Sequence, residues 1–374
     1  MVPRQSFNDT NLFLELVRAG LWGTEVRLGL FENVDYSRLM EMATEQSLVG
    51  LIAAGMEYVL DTRIPKADVL RFIGQALQIE QRNKAMNAFI ASLIERTRAA
   101  DIYLLLVKGQ GIAQCYKKPL WRACGDVDLF LSEDNYVKAK AFLLPMATSV
   151  EKEFVREKHL GLIIDGWVVE LHGHLYSGLS SRVEKELDRL QEDTFYGDPV
   201  RSWMNDKTQV FLLAAENDAF YVFTHILQHF YKGGIGLRQI CDWCRLLYTY
   251  RECLNLDLLE QRIKRAGLMT EWKAFGALAV EYLGMPVDAM PFYSDSVKWK
   301  KKAKLIMAFV MMSGNFGHNR ESGYLKYPYF VRKCFSMGRR IGDLFRHSRI
   351  FPMDSLRFSF SIMRNGVRSA MMEE

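Results

Sequence analysis

Apolar residues recur at spacings of three and four through residues 7–100, as Met86, Phe89, Ile90 and Leu93 illustrate. This spacing places the apolar side chains on one face of a helix with 3.6 residues per turn. The first quarter of the chain is therefore predicted to be helical.

The pattern changes between residues 102 and 174, where short runs of branched apolar residues alternate with turns. Residues 102–107 and 127–131 have the length and composition of buried strands. A short helix is predicted to open at residues 108–111, and a longer one is predicted over residues 136–144 after Ser132, which can cap it. This part of the chain is predicted to form a mixed sheet.

A hairpin is predicted around Asp165-Gly166, because this dipeptide lies between two apolar runs. On the second strand the two-residue period places Glu170, His172 and His174 on one face. The two histidines could contact a metal or a leaving phosphate, or they could only complete local hydrogen bonds.

Helical spacing returns from Lys207 to the end of the chain. We therefore predict an α+β protein in three regions: a helical region over residues 1–96, a mixed-sheet core over 97–200, and a second helical region over 201–374.

Composition is typical of a globular protein, with 374 residues, 49% hydrophobic residues and 25% charged residues. The longest run without Asp, Glu, Lys, Arg or His, residues 305–317, has 13 residues, and about 17 to 25 are needed to cross a bilayer. Asp9 and Glu15 interrupt the stretch in which a signal peptide would be apolar. We expect a cytoplasmic protein without a transmembrane segment.

The 6 cysteines show no even framework of disulfides. Cys241 and Cys244 form one close pair, but no second pair completes four zinc ligands. We interpret the cysteines as reduced thiols and this pair as part of the core.

The net charge of +5 is concentrated in residues 326–368. Such a segment can bind phosphate, nucleic acid or an anionic surface, but its aromatic residues favour packed amphipathic helices, and nucleic acid is kept as the less favoured alternative. The lysines of residues 298–304 are likewise interpreted as an exposed helix face, with contact to the acceptor or to nucleic acid as the alternative. The aromatic residues are Tyr329, Phe330, Phe335, Phe345, Phe351, Phe358 and Phe360.

Three carboxylates are candidate metal ligands. Asp126 and Asp128 lie one residue apart on a predicted strand and so share a face. Such like charges persist near one another when a cation neutralises them, and oxygen ligands suit Mg²⁺. Glu170 joins them if its strand is a neighbour. Two ions held by such a trio perform phosphoryl and nucleotidyl transfer.

A phosphate-binding segment is predicted just upstream. Gly109, Gln110 and Gly111 follow a strand and open a helix, where backbone N–H groups can bind a triphosphate. Lys108 and Arg122 would neutralise its charge.

A second histidine pair, His225 and His229, has the i, i+4 spacing of zinc ligands but no glutamate after the first histidine. We interpret it as a packed or hydrogen-bonded pair. As a functional alternative, the pair would line the acceptor pocket with Arg238 and Asp242.

Taken together, these segments resemble the uncharacterised nucleotidyltransferase family of bacterial proteins, within the DNA polymerase beta-like nucleotidyltransferase superfamily. A third block, from HILQHF to CRLL, resembles the helical segment of the family. The likeness spans roughly residues 10–360. The matching positions are Lys108, Gly109, Tyr116, Pro119, Arg122, Gly125, Asp126, Asp128, Glu170, Leu171 and His172.

The resemblance implies a nucleotidyltransferase core in which Asp126, Asp128 and Glu170 are metal ligands and catalytic residues. The expected reaction transfers a nucleoside monophosphate, with ATP as the expected donor, to an unidentified acceptor and releases pyrophosphate. Two Mg²⁺ ions are the expected cofactors. The alternatives are a kinase on the same core, and a non-catalytic protein that binds nucleotide or metal. No pattern in the sequence indicates the acceptor or an oligomeric state.

Overall fold

The computed structural model describes residues 4–31, 33–155, 157–197, 199–315, 338 and 342–358. In this part of the chain the fold is α+β, as predicted. A five-stranded mixed sheet is flanked by helices, and a separate two-stranded hairpin follows it.

Helices precede the sheet, as the apolar spacing predicts. They are α1 (Arg4–Trp22), α2 (Tyr36–Glu45), α3 (Val49–Met56) and α4 (Lys66–Ala99). Two glycines let α1 and α3 approach closely, because a Cβ at Gly55 would lie 2.1 Å from the carbonyl oxygen of Leu16 and one at Gly20 would lie 2.3 Å from that of Leu51. A larger residue at either position would push the two helices apart.

The sheet region begins at residue 105 and contains five strands and two helices. They are β1 (Leu105–Val107), α5 (Gly109–Ala113), β2 (Asp126–Phe130), α6 (Glu133–Leu143), β3 (Ser149–Val150), β4 (His159–Ile164) and β5 (Trp167–His172). The strand order is β1-β2-β5-β4-β3, with β2 and β5 parallel and the other neighbours antiparallel. Strand β1 is shorter than predicted, and α6 begins three residues earlier than predicted.

The predicted hairpin joins β4 to β5. Ile164 pairs with Trp167, and both Asp165 (φ 51°) and Gly166 (φ 79°) have positive φ. Two central residues with positive φ define the turn whose twist matches two antiparallel strands. This prediction is confirmed.

One face of the sheet is apolar and packs against α4 and α6. Val127 and Leu129 of β2 and Leu171 of β5 belong to this core, together with Met86 and Ile90 of α4. Since side chains alternate along a strand, the polar residues of β2 and β5 are left on the opposite face.

The chain after the sheet is mainly helical. It contains α7 (Ser181–Tyr196), β6 (Arg201–Asn205), β7 (Thr208–Leu212), α8 (Ala215–Lys232), α9 (Leu237–Tyr250), α10 (Leu256–Ala266), α11 (Met269–Leu283) and α12 (Val297–Ser313). The prediction of helix from Lys207 onward was wrong at its start, because β7 pairs with β6 across a turn in which Asp206 has φ 54°. Val210 and Leu212 bury their side chains in the core beneath the main sheet, so tertiary packing stabilises the strand.

Several predictions from composition can be compared with the described residues. The cysteines there, at positions 115, 124, 241, 244 and 253, are free thiols, and Cys241 and Cys244 are fully buried. Lys298, Lys301 and Lys304 are exposed on α12, as predicted. None of the described helices is long and apolar enough to cross a membrane.

Most of the basic segment 326–368 lies outside the described residues. Within its described part Phe351 and Phe358 are buried, as expected of a packed helix, whereas Phe345 is exposed. Cys334 and four of the seven aromatic residues, Tyr329, Phe330, Phe335 and Phe360, also lie outside the described part.

Candidate active site on the polar face of the sheet

Asp126, Asp128 and Glu170, which we call the carboxylate trio, meet on the polar face of the parallel strand pair. Asp128 of β2 is in register with Glu170 of β5, and Asp126 precedes Asp128 by one strand period. One carboxylate oxygen from each residue lies within 4.8 Å of the others. The condition set by the sequence, that the strand of Glu170 be a neighbour, is therefore met.

Lys108 connects the trio to the segment before α5. Its Nζ lies 2.8 Å from Oδ1 of Asp128. The Lys108 backbone has φ 57° and ψ −144°, a conformation that non-glycine residues rarely adopt and that costs about 1–3 kcal/mol. Strained backbone of this kind concentrates at functional sites, and here it places the ammonium group against the trio.

Two histidines contact the trio as well. Nε2 of His172 lies 2.8 Å from Oδ1 of Asp128 and 3.4 Å from Oε2 of Glu170. Nε2 of His159 lies 3.2 Å from the same oxygen of Glu170. Three cationic or potentially cationic side chains therefore surround three carboxylates.

Contacts with basic side chains lower the pKa values of two of the three acids. Hydrogen bonds from His159 and His172 lower the pKa of Glu170. Burial by itself would raise the pKa of Asp128, but Lys108 and His172 outweigh it and lower that pKa.

Asp126 differs from its two neighbours. Burial, and then repulsion by Asp128, raises the pKa of Asp126. Among the described residues, no cation lies within ion-pair distance of its carboxylate. The site therefore holds an excess of negative charge that a cation would relieve.

The trio faces a cavity of about 600 Å³ between the sheet and the helices α8 and α9. Pockets that bind small molecules have volumes of about 300–1,000 Å³. His225 and Tyr221 of α8 and Arg238 of α9 line the wall across from the strands. The cavity is large enough for a nucleotide and brings cationic groups close to the carboxylates.

His225 and His229 form a hydrogen-bonded pair on that wall, with their Nε2 atoms 3.1 Å apart. Burial is the main cause that lowers both pKa values, that of His229 to about 4. The predicted hydrogen-bonded pair is found. Arg238 and Asp242 line the same cavity as the two histidines, and a role of these four residues in an acceptor pocket stays a prediction.

Arg122 also lines the cavity, but its guanidinium group is paired with Asp242. Nη2 lies 2.5 Å from Oδ2 and Nε lies 3.1 Å from Oδ1, while the Tyr116 hydroxyl donates to the same Oδ1 at 2.8 Å. Both charged side chains are buried. A role for Arg122 in phosphate binding stays a prediction.

The predicted phosphate-binding residues divide into two groups. Lys108 and Gly109 line the cavity. The side chain of Gln110 is buried and donates to Asn83 at 2.8 Å, and Gly111 packs so tightly that a Cβ there would lie 2.8 Å from Leu212. Any contact of Gln110 or Gly111 with phosphate would have to come from the main chain, and this role stays a prediction.

His159 was missed from the sequence, although a signal for it was present. A two-residue turn at Asp165-Gly166 pairs Ile164 with Trp167, and continuing this register pairs His159 with His172. Tyr221 and Asn315 of the cavity lining came with no such local signal. His174, grouped with Glu170 by the sequence, lies past the end of β5 and bonds Asp188 at 2.7 Å.

Comparison with known proteins identifies a family. A family model described as "Uncharacterised nucleotidyltransferase" matches residues 32–284, more than half of the chain. No curated protein and no solved structure matches the chain significantly.

Proposed function

The chain belongs to the uncharacterised nucleotidyltransferase family, and we propose that it transfers a nucleoside monophosphate from a nucleoside triphosphate to an acceptor. ATP is the proposed donor, Mg²⁺ the proposed cofactor, and pyrophosphate the second product. The observation that carries this proposal is the carboxylate trio, whose oxygens lie within 4.8 Å of one another at the edge of the cavity.

The trio fits a hard divalent cation. Its donors are carboxylate oxygens, which Mg²⁺ prefers, and the raised pKa of Asp126 marks the charge that a cation would compensate. When bound, Mg²⁺ would supply charge stabilisation at the reacting phosphate and would activate the acceptor.

The proposed reaction forms one bond and breaks one. A hydroxyl, amine or phosphate oxygen of the acceptor attacks the α-phosphorus, and the bond from that phosphorus to the bridging oxygen of pyrophosphate breaks. We assign the proton of the acceptor to Glu170, as the member of the trio proposed to lie nearest the acceptor; its side chain is 29% exposed and lines the cavity, so the acceptor can reach it.

Lys108 and the start of α5 support binding of the triphosphate. Lys108 lies both beside Asp128 and on the cavity lining, so its ammonium group can neutralise phosphate charge. The first N–H groups of a helix have no partner within the helix, and those of Gly109, Gln110 and Gly111 are the proposed donors to phosphate oxygens.

The acceptor is proposed to enter along α8 and α9. His225, His229 and Arg238 line this wall, and Nε of Arg238 has no hydrogen-bond acceptor in the part of the chain that the structure describes. The wall offers donors to a polar or anionic acceptor.

Isothermal titration calorimetry of non-hydrolysable ATP and GTP analogues, with and without Mg²⁺, tests the proposal. We expect the wild type to bind with Mg²⁺ and an Asp126→Asn/Asp128→Asn variant to lose that binding. A Glu252→Gln/Asp257→Asn variant is the matched control, because both of these acids are exposed on the surface.

Magnesium-dependent binding that vanishes only in the trio variant would support the proposal and lead to an acceptor screen by pyrophosphate release. Formation of ADP in that screen would instead identify a kinase. If neither analogue binds under any condition, a non-catalytic role is favoured.

A further inference from the structure

The two histidines at the trio form a second ligand group that the proposed chemistry does not use. Nε2 of His159, Nε2 of His172 and one oxygen of Glu170 lie within 4.8 Å of one another. Their side chains are 25%, 12% and 29% exposed, so the group is partly shielded but reachable from the cavity. We propose that these three residues bind a divalent transition metal ion, with Zn²⁺ as the representative ion, next to the magnesium position of the carboxylate trio.

The distances fit a tetrahedral ion. Zinc bonds to nitrogen and carboxylate oxygen are about 2.0–2.2 Å long, which separates two ligands of a tetrahedron by about 3.3–3.5 Å. His159 and His172 lie 3.2 and 3.4 Å from Oε2 of Glu170. The distances from the two imidazole nitrogens to Oε2 of Glu170 are therefore already close to the distances between ligands of a bound ion.

Hydrogen bonding satisfies only part of the arrangement. Charge-assisted hydrogen bonds are about 2.7–2.9 Å long, and the two contacts to Glu170 exceed this length. Nε2 of His172 also lies 2.8 Å from Asp128, and one ring nitrogen carries at most one hydrogen. His172 cannot donate fully to both acids.

A single hairpin brings the three residues together. Glu170 and His172 are two residues apart on β5, so they share a face, and His159 is the cross-strand partner of His172 on β4. The two rings lie 4.8 Å apart. The hairpin turn at Asp165-Gly166 sets this register, so the site depends on a rigid element.

The kinds of donor atom in this group favour Zn²⁺ over Mg²⁺. Two imidazoles and one carboxylate are the protein ligands of several catalytic zinc sites, which keep one position open, whereas Mg²⁺ favours oxygen donors. Because Glu170 belongs to both groups, the two positions would be neighbours. The catalytic meaning of this pair rests on the proposed function, but zinc binding itself does not.

Metal binding to the full chain tests the inference. The protein is treated with a chelator and dialysed against Zn²⁺ or Mg²⁺, and bound metal is measured by mass spectrometry. In parallel, visible absorption of added Co²⁺ reports tetrahedral nitrogen ligation. We expect one Zn²⁺ per chain and intense tetrahedral Co²⁺ bands in the wild type.

Two histidine pairs of the same cavity provide the variants. His159→Gln/His172→Gln is expected to weaken Zn²⁺ binding by at least about 100-fold and to abolish the Co²⁺ bands, since loss of even an outer-shell partner costs about 10–100-fold. The matched control, His225→Gln/His229→Gln, should bind Zn²⁺ like the wild type. Unchanged zinc binding in the first variant, or its loss in the control, overturns the inference.

A single substitution distinguishes the loss of a zinc ligand from a folding defect. If circular dichroism shows that the double variant is unfolded, His159→Gln decides, because this side chain is partly exposed. It must weaken Zn²⁺ binding by at least about 10-fold and leave Mg²⁺ binding unchanged. Equal weakening for both ions would show that His159 only orients Glu170 and would overturn the inference.

The two proposals fail separately. Zinc binding that needs His159 and His172, with no binding of any nucleotide, would leave this inference standing and remove the proposed function. Magnesium-dependent nucleotide binding without zinc binding would do the reverse.

Discussion

The protein contains two groups of charged side chains, one buried and one beside a cavity, that differ in their balance of charge. In the first, which we call the Arg262 cluster, Arg262 bonds Glu186, Asp193 and Asn217 at 2.7–3.1 Å between α7, α8 and α10. In the second, the carboxylate trio, three acids lie together and face a cavity.

The two groups differ in whether their acids are paired with cations. Glu186 and Arg262 are almost fully buried, and further contacts from Arg189 to Glu186 complete the cluster. Asp126 of the trio has a raised pKa and lies next to a cavity of about 600 Å³. Charge that is satisfied within the fold serves architecture, whereas excess charge beside a cavity indicates binding.

Removing Arg262 should have the largest effect. Arg262→Met leaves Glu186 buried with one fewer cation, and breaking a buried pair costs about 3–5 kcal/mol. We expect a loss near 5 kcal/mol in the free energy of unfolding, measured by urea titration. Arg265→Met, at a half-exposed side chain 3.8 Å from Glu186, should change stability little, and equal losses would contradict the comparison.

Substitution of Arg122 tests whether its ion pair with Asp242 stabilises the fold, as the Arg262 cluster does, or serves binding. Arg122→Met strands a buried carboxylate that Tyr116 still contacts, so we expect about 4 kcal/mol of destabilisation. Combining it with Asp242→Asn should recover part of this loss. If Arg122→Met instead weakens nucleotide binding without changing stability, Arg122 is a phosphate ligand and not part of the architecture.

The histidine pair of the cavity wall should make stability depend on pH. Burial, and then Lys108, Lys232 and Arg238, lowers the pKa of His229 from 6.5 to about 4, with Glu170 opposing. A base whose folded pKa is lowered contributes stability above its unfolded pKa, and this stability is lost as the pH falls toward the folded pKa.

Between pH 6.5 and 4 we therefore expect a loss on the order of 3 kcal/mol from this group, since one pKa unit corresponds to about 1.4 kcal/mol. Urea titrations across this range should show a shallower slope for His229→Gln than for the wild type. Gln228→Asn, on the same helix, is the control and should keep the wild-type slope, because neither side chain titrates. An unchanged slope in His229→Gln would contradict the burial of the pair.

The smallest expected effect is a gain in stability and not a loss. Asp126→Asn removes an acid that is destabilised by burial and by Asp128, so it should stabilise the protein at neutral pH by about 1 kcal/mol, as charge optimisation commonly does. Thermal unfolding without metal measures this change. Destabilisation would mean that the Asp126 carboxylate is satisfied, as the acids of the Arg262 cluster are.

The fold could be predicted where the pattern is local. The hairpin at Asp165-Gly166 and the alternation of Asp126 and Asp128 with apolar residues depend only on neighbouring positions, and both are confirmed. The hairpin β6–β7 was missed, because burial of Val210 and Leu212 against distant residues stabilises it.

The sequence by itself determined that two acids share a strand face, that a hairpin follows them, and that helices surround this region, because these features depend on residue spacing. Only the tertiary structure decided that Glu170 lies beside Asp128 and that Arg122 is held by Asp242. These contacts connect residues far apart in the chain, and their geometry follows from strand order and helix packing, which no local spacing encodes.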